Sequence, residues 1–304
     1  MNNLTTLTTE MRNQNTMTID SMSTAEILTT INREDMTVAK SVQQVLPEVE
    51  KTVEVVYQQL KNGGKLLYVG AGTSGRIGIL DAVECPPTYS TAPEVVQAVM
   101  AGGINAIEKA VEGAEDDEDL GANDLKERHL TKNDVVIGIA ASGRTPYVIG
   151  ALKYAKQIGA TTISLASNKN AVISQYADIK IEVVTGPEIL TGSTRMKAAT
   201  AHKMILNMIT TTAMIKIGKV YENLMVDLKV SNHKLKERAK NIVSTITETS
   251  YETATTILEE TNYEVKPAIV MIRTGVTLEE AKKYIQQADG FVRVAIELAT
   301  KGGK

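Results

Sequence analysis

The stretch Gly70-Ala71-Gly72-Thr73-Ser74-Gly75 follows a short apolar run, Lys65 to Val69, and precedes a helical pattern. Glycines there let the backbone turn tightly. The helix start behind them offers free N–H groups and the positive end of a dipole, which suits an anion. The stretch matches the dinucleotide fingerprint G-x-G-x-x-G, so a nicotinamide-dependent enzyme is one reading. That reading also needs an acid at the tip of the second strand to hold a ribose. Here that strand ends in Gln97 to Gly103 without an acid, and Glu94 stands at its start. The loop instead offers the hydroxyls of Thr73 and Ser74. A second loop, Ser142-Gly143-Arg144-Thr145-Pro146, repeats the arrangement with Ser142 and Thr145. Either loop alone could merely connect strand to helix. Two together at the carboxyl edge of one sheet point to one small anion, a phosphomonoester. The Walker pattern fails because no Gly-Lys-Ser/Thr follows. Arg76, Arg144 and Arg195 each stand beside such a loop, as candidate anion contacts or as solvated surface groups.

Among the acids, Glu84 precedes Cys85-Pro86-Pro87. A diproline removes two N–H donors, so the helix is expected to stop there and hold Glu84 near the loops. The residues leave a catalytic and a surface role for Glu84 both open. Glu112, Glu115, Asp116, Asp117, Glu118 and Asp119 cluster around Gly113 and read, on charge alone, as a solvated helix start. His129, His202 and His233 are widely spaced, no H-E-x-x-H occurs, and no metal site is expected. Cys85 has no nearby histidine to serve as a base, which argues against a nucleophilic thiol.

Elements must hold these groups in place. Apolar runs at Lys65–Val69, Pro93–Val99, Val135–Ala140, Thr162–Leu165 and Ile179–Val184 lack strict alternation. Helical stretches separate them at Gly75–Val83, Ile104–Val111, Tyr147–Ile158 and Asn170–Tyr176. The pattern predicts an α/β fold: an open parallel sheet of about five strands with helices on both faces. Before it come a polar arm of twenty residues, a helix opened by the capping box Ser23-Thr24-Ala25-Glu26, and a long helix from Asp35 to about Leu60 stopped by Gly63-Gly64. After it, a helix from Thr194 to Val220 carries Met196, Met204, Met208 and Met214 and is apolar on more than one face. It is either core or a subunit interface. From Ser231 on, a small helical module follows, with a capping box at Thr277 and stops at Gly275 and Gly290. The expected domains are 1–54, 55–230 and 231–304.

The chain has 304 residues, enough for a full core, and a formal net charge of −3. No basic run is interleaved with aromatics, so nucleic acid is not an expected partner. No apolar segment reaches a bilayer span, so a membrane is not expected either. One cysteine cannot close an intrachain disulfide, and a reducing cytoplasm is the expected location. Ten Tyr, one Phe and no Trp mean that any sugar site grips mainly by polar and phosphate contacts.

Three blocks carry a resemblance across essentially the whole chain: YVGAGTSGRIGILDAVECPP from Tyr68, AVEGAEDD from Ala110, and GPEILTGSTRMKAATAHKMILNM from Gly186. With the amino-terminal LTTEMRNQNT and STAEILTTIN and the carboxy-terminal module, the chain resembles the N-acetylmuramic acid 6-phosphate etherases. These belong to a sugar-isomerase-domain superfamily that includes the glucokinase regulatory protein. The resemblance implies cleavage of a D-lactyl ether, giving N-acetylglucosamine 6-phosphate and D-lactate, with no cofactor. It implies Glu84 as the acid and Glu115 as the base or water activator, which overrides the surface reading of Glu115. Thr73, Ser74, Ser142, Thr145, Ser193 and Thr194 become phosphate candidates. Arg76 and Lys197 become candidates for the lactyl carboxylate or acetamido group. A homodimer with the active site near the subunit interface is also implied. An isomerase and a non-enzymatic sugar-phosphate sensor are the rival readings on this fold.

Overall fold

The computed structural model describes residues 7–302, apart from 110, 112, 229 and 231. Packing divides the chain into two units: Met1–Val83 with Pro93–Thr210, and Glu84–Ala92 with Thr211–Lys304.

The first unit is built on five parallel strands, β1 (Leu66–Gly70), β2 (Val96–Met100), β3 (Val135–Ile139), β4 (Thr161–Ala166) and β5 (Ile179–Glu182), in the order β2-β1-β3-β4-β5. All five lie where the apolar runs predict, within a few residues. β1 and β3 are buried at every position, which is why neither alternates in sequence. On one face Leu67, Val69 and Val136 join Leu125, Val148 and Leu152 from α5 (Glu118–Glu127) and α6 (Pro146–Ile158). Each such aliphatic side chain contributes about 1.5–3 kcal/mol relative to exposure. Helices α5 and α6 cross at glycines. A Cβ on Gly150 would lie 1.8 Å from the Glu118 carbonyl oxygen, and one on Gly121 2.0 Å from that of Tyr147.

The other face receives α4, which runs Gly72–Tyr89. A Cβ on Gly78 of α4 would sit 2.9 Å from Tyr68 Cβ, so glycine permits the close approach to β1. Asp81 of α4 is buried there and accepts from Tyr68 Oη at 2.7 Å. Asn207 Nδ2 and Thr210 Oγ1 of α7 (Lys197–Lys216) also donate to it, at 2.6 and 3.1 Å. A buried carboxylate this well supplied with donors avoids most of its desolvation penalty.

Several expectations need correction. The diproline does not end α4: Pro86 and Pro87 lie inside it, and Ser90 N–H still donates to the Pro86 carbonyl at 3.0 Å. Both prolines fall in the last turn, where the ladder is ending, and their fixed φ is itself helical. The helix expected from Asp35 to Leu60 is two, α2 (Val38–Gln43) and α3 (Leu46–Lys61), because Pro47 lacks an N–H and is accommodated in the first turn of a new helix. The box at Ser23 forms as expected and opens α1 (Thr24–Asp35). Ile104–Val111 and Asn170–Tyr176 give only 3-10 turns at Gly103–Ile107 and Val172–Tyr176; Gly102, Gly103 and Asn170 at φ +83°, +63° and +53° interrupt helical geometry. The amino-terminal arm is not a free polar tail. It forms short 3-10 turns that bury Leu7, Thr9, Asn13 and Thr16.

The second unit holds a short hairpin, β6 (Val220–Tyr221) with β7 (Leu224–Met225), and helices α8 (His233–Thr247), α9 (Tyr251–Glu260), α10 (Val265–Thr274), α11 (Leu278–Gln287) and α12 (Val292–Gly302). Their core includes Ile242, Leu258, Ile269 and Val292. Thr277 closes the second capping box, and Gly275, at φ +72°, caps α10, whereas α11 ends at Gln287 with Ala288 as its cap, two residues before Gly290.

Candidate active site

In a 2-1-3-4-5 parallel sheet, successive crossovers run in opposite directions from β1 and β3. The crevice beyond their carboxyl ends is the usual ligand position of such folds. The two hydroxyl-bearing loops lie there. β1 ends at Gly70 and α4 begins at Gly72, so Thr73 and Ser74 stand in its first turn, half-buried. A Cβ on Gly70 would come within 2.7 Å of Gly75 N, and Gly72 has φ +53°. These glycines therefore serve a tight strand-to-helix turn.

Behind β3, Ser142 Oγ accepts from Arg144 N–H at 3.3 Å. Thr145 is the N-cap of α6, yet its side chain makes no capping bond, and Pro146 occupies the first turn. A cap hydroxyl left out of its own helix is available to a ligand, along with the helix dipole. Gly143, at φ +73°, is buried against Ala171.

The acids are placed differently. Glu115, in a 3-10 turn at Ala114–Asp116, lines a cavity of about 180 Å³ with Ala71, Gly72, Arg76, Lys109 and Gly113. That volume is below the roughly 300–1,000 Å³ of an ordinary small-ligand pocket. Glu112 lies outside the described residues. Glu84 is three turns beyond Thr73 on α4, and its side chain is exposed. The expectation that the helix stops at the diproline fails, because α4 continues to Tyr89.

The cations also separate. Arg76 Nε and Nη2 donate to the carbonyls of Ile107 and Ala106 at 2.9 and 2.7 Å, which fastens the turn after β2 and leaves the guanidinium at the cavity wall. Lys197 is buried, and its Nζ donates to Glu34 at 2.8 Å with side chains only 3% and 8% exposed. Its ammonium is engaged within the fold, which argues against the lactyl-carboxylate role. Arg144 is half-buried and Arg195 exposed. Ser193 and Thr194 are half-buried in the turn before α7, whose first N–H groups, those of Lys197 and Ala198, donate to buried Glu188 at 2.9 Å each.

Sequence reasoning missed Lys109 at the cavity, Glu188 at the α7 start, and the pair Thr9 and Asn168. Asn168 reaches the Ser142 carbonyl, and Thr9 bonds both Asn168 and Gly192, the neighbour of Ser193. An Asn and a Thr in polar stretches carry no periodic signal that could have singled them out. His202, fully buried on α7, shares a hydrogen bond with Ser167 Oγ at 3.0 Å, and burial pushes its pKa down to about 4. Among the described residues no three His, Cys, Asp or Glu gather as a metal site, and no helix is long and apolar enough to cross a membrane.

Comparison with known proteins bears on the fold and the family. Residues 38–156 match the glucokinase regulatory protein N-terminal SIS domain, 120–212 the SIS domain, and 222–294 the C-terminal lid domain of glucokinase regulatory protein. A crystal structure of a candidate phosphosugar isomerase from Bacteroides fragilis has the same fold at a TM-score of 0.50 and 19% identity, covering 65% of this chain and 94% of that one. The N-acetylmuramic acid 6-phosphate etherase of Bacillus subtilis is 57% identical over 97% of both chains. That of Geobacillus thermodenitrificans is 59% identical over 96% of this chain and 99% of its own. With more than half of the residues identical over nearly the full length of both chains, the chain belongs to the N-acetylmuramic acid 6-phosphate etherase family.

Proposed function

We propose that this protein cleaves the D-lactyl ether of N-acetylmuramic acid 6-phosphate to N-acetylglucosamine 6-phosphate and D-lactate, in the cytoplasm, as part of cell-wall sugar recycling. The observation that carries the proposal is the pair of hydroxyl-bearing loops at the sheet's switch point, next to a cavity containing Glu115, in a chain of this family.

In the open-chain sugar the C1 aldehyde acidifies the proton on C2. Glu115 as base removes that proton, electrons move to form the C2–C3 double bond, and the C3–O bond to the lactyl group breaks. Glu84 as acid protonates the departing ether oxygen, which leaves as the hydroxyl of D-lactate. Water then adds at C3 with its proton taken by a carboxylate, and C2 regains a proton. A positioned proton transfer contributes about 10²–10⁴-fold. Thr73, Ser74, Ser142 and Thr145, with Ser193 and Thr194, hold the phosphate away from the reacting carbons, so its binding energy keeps the open-chain form in place.

The exposure of Glu84 in the single chain supports the homodimer reading, in which a second copy covers it and the active site lies near the subunit interface. The partly buried Met196, Met204 and Met208 are compatible with that arrangement or with plain core packing. A coupled assay for D-lactate from N-acetylmuramic acid 6-phosphate tests the function. Lactate release supports it, and a folded, phosphate-binding protein that releases none overturns it in favour of an isomerase or a sensor.

A further inference from the structure

Asn168, just past β4, is only 2% exposed, as is Thr9 of the amino-terminal arm. Asn168 Nδ2 donates to the Ala141 carbonyl at 3.0 Å, and its remaining contacts are the Ser142 carbonyl at 3.4 Å and Thr9 Oγ1 at 3.2 Å. Its Oδ1 accepts from Thr9 N–H at 3.4 Å. Carbonyls on one side and an N–H on the other allow only one orientation of the amide. In a trans peptide the C=O and the following N–H point opposite ways. The Ala141 carbonyl also accepts from the Ser167 N–H at 3.1 Å, so the Asn168 amide and the Ser167 backbone together turn the Ser142 N–H away from Asn168. The Gly143 N–H is already committed to Ala140 O at 2.9 Å, and the Arg144 N–H to Ser142 Oγ. The Ser142 N–H is thus the donor in this loop whose direction Asn168 helps to set, together with the Ser167 backbone. Thr9 O also accepts from Gly192 N–H at 3.2 Å, so one arm residue ties the Ser142 loop to the loop carrying Ser193.

We infer that Asn168 and Thr9 are positioning residues for phosphate binding, with the amino-terminal arm a working part of the site. This rests on the proposed phosphate position at the Ser142 loop. The two residues touch no substrate atom. They fix the peptide that does, and they hold two phosphate loops at one spacing. The arm is therefore required for affinity toward phosphorylated sugars rather than for the proton transfers.

The test compares wild type, Asn168→Asp, Thr9→Val and Thr9→Ser in the full chain. The readouts are KM and kcat for N-acetylmuramic acid 6-phosphate, inhibition by inorganic phosphate, and melting temperature. Asn168→Asp cannot donate to the two carbonyls and sets a negative charge beneath the anion. It is expected to raise KM and the phosphate inhibition constant together by about 10–100-fold, with kcat within about threefold. Thr9→Val, which keeps the shape and loses the hydroxyl, is expected to raise both by about 3–10-fold, and Thr9→Ser to restore them. A folded Asn168→Asp with unchanged phosphate inhibition, or a loss confined to kcat, overturns the inference. If Asn168→Asp does not fold, Thr9→Val against Thr9→Ser decides by the same criterion. Ser142→Ala separates the two levels. If it weakens phosphate inhibition while the Asn168 and Thr9 variants do not, the positioning role alone is wrong. If Ser142→Ala has no effect either, the phosphate position itself is wrong and this inference falls with it.

Discussion

Replacing Lys197 by methionine strands the Glu34 carboxylate, 8% exposed, without its ammonium. Asn13 Nδ2 at 2.8 Å and Asn15 Nδ2 at 2.9 Å remain as donors. In the native protein burial pushes the Glu34 pKa up, but the hydrogen bonds from Lys197, Asn15 and Asn13 and the charge of Lys197 together hold it below the usual value. Without Lys197 its hydrogen bond and charge are lost, so the carboxyl's pKa rises and taking up a proton becomes the escape from burial. That escape bounds the cost: moving from an ordinary pKa of about 4.3 to pH 7 amounts to about 4 kcal/mol. A loss of about 2–4 kcal/mol at pH 7 is expected, near the range for breaking a buried pair. Because the orphaned carboxyl has a raised folded pKa, the deficit relative to wild type shrinks as pH falls toward about 4.5 and widens as pH rises, levelling only above that raised folded pKa. Urea unfolding followed by far-UV circular dichroism, from pH 4.5 to 8, measures this in a chain without Trp. The double variant Glu34→Gln with Lys197→Met should recover part of the loss, since no charge is stranded. A deficit under about 1 kcal/mol, or one independent of pH, refutes the reasoning.

Glu84→Gln and Glu115→Gln should each lower turnover by at least roughly 10²-fold while ligand affinity, read by calorimetry, stays within about tenfold. Near-normal turnover in both rejects the assigned proton transfers. Ser142→Ala should weaken inorganic phosphate binding by about 1–3 kcal/mol, read as an inhibition constant, and unchanged binding moves the phosphate elsewhere. His202, whose pKa burial lowers to about 4, is neutral in the folded protein at pH 7. Its ring resonances should show no inflection above about pH 5.5, and its share of stability, about 3 kcal/mol, should be lost as pH falls from about 6.5 to 4. An inflection near 6.5 contradicts its buried, neutral state.

The sheet was legible because fully buried strands leave apolar runs of strand length, as Val135 to Ile139 does, and because the capping boxes at Ser23 and Thr277 act through adjacent residues. The two loops were legible for the same local reason: glycine and hydroxyl residues must follow a strand that feeds a helix. What escaped depends on distant partners. Thr9 and Asn168 are 159 residues apart, and Asn13 meets Pro187 across 174, so a polar arm that is in fact buried looked free. Pro86 and Pro87 misled for a different reason. The rule that proline breaks helices weakens where the helix is already in its last turn. Lys197 appeared a ligand candidate because its position beside a Ser/Thr turn was visible while its partner Glu34 was not.

Isotope tracing of the reaction reaches the central chemistry most directly. With N-acetylmuramic acid 6-phosphate in water enriched in oxygen-18 and deuterium, elimination and readdition put the solvent oxygen on C3 of N-acetylglucosamine 6-phosphate and deuterium on C2. The D-lactate then keeps the original ether oxygen. Oxygen-18 in the lactate, or a C2 hydrogen that never exchanges, would contradict removal of the C2 proton and cleavage of the C3–O bond.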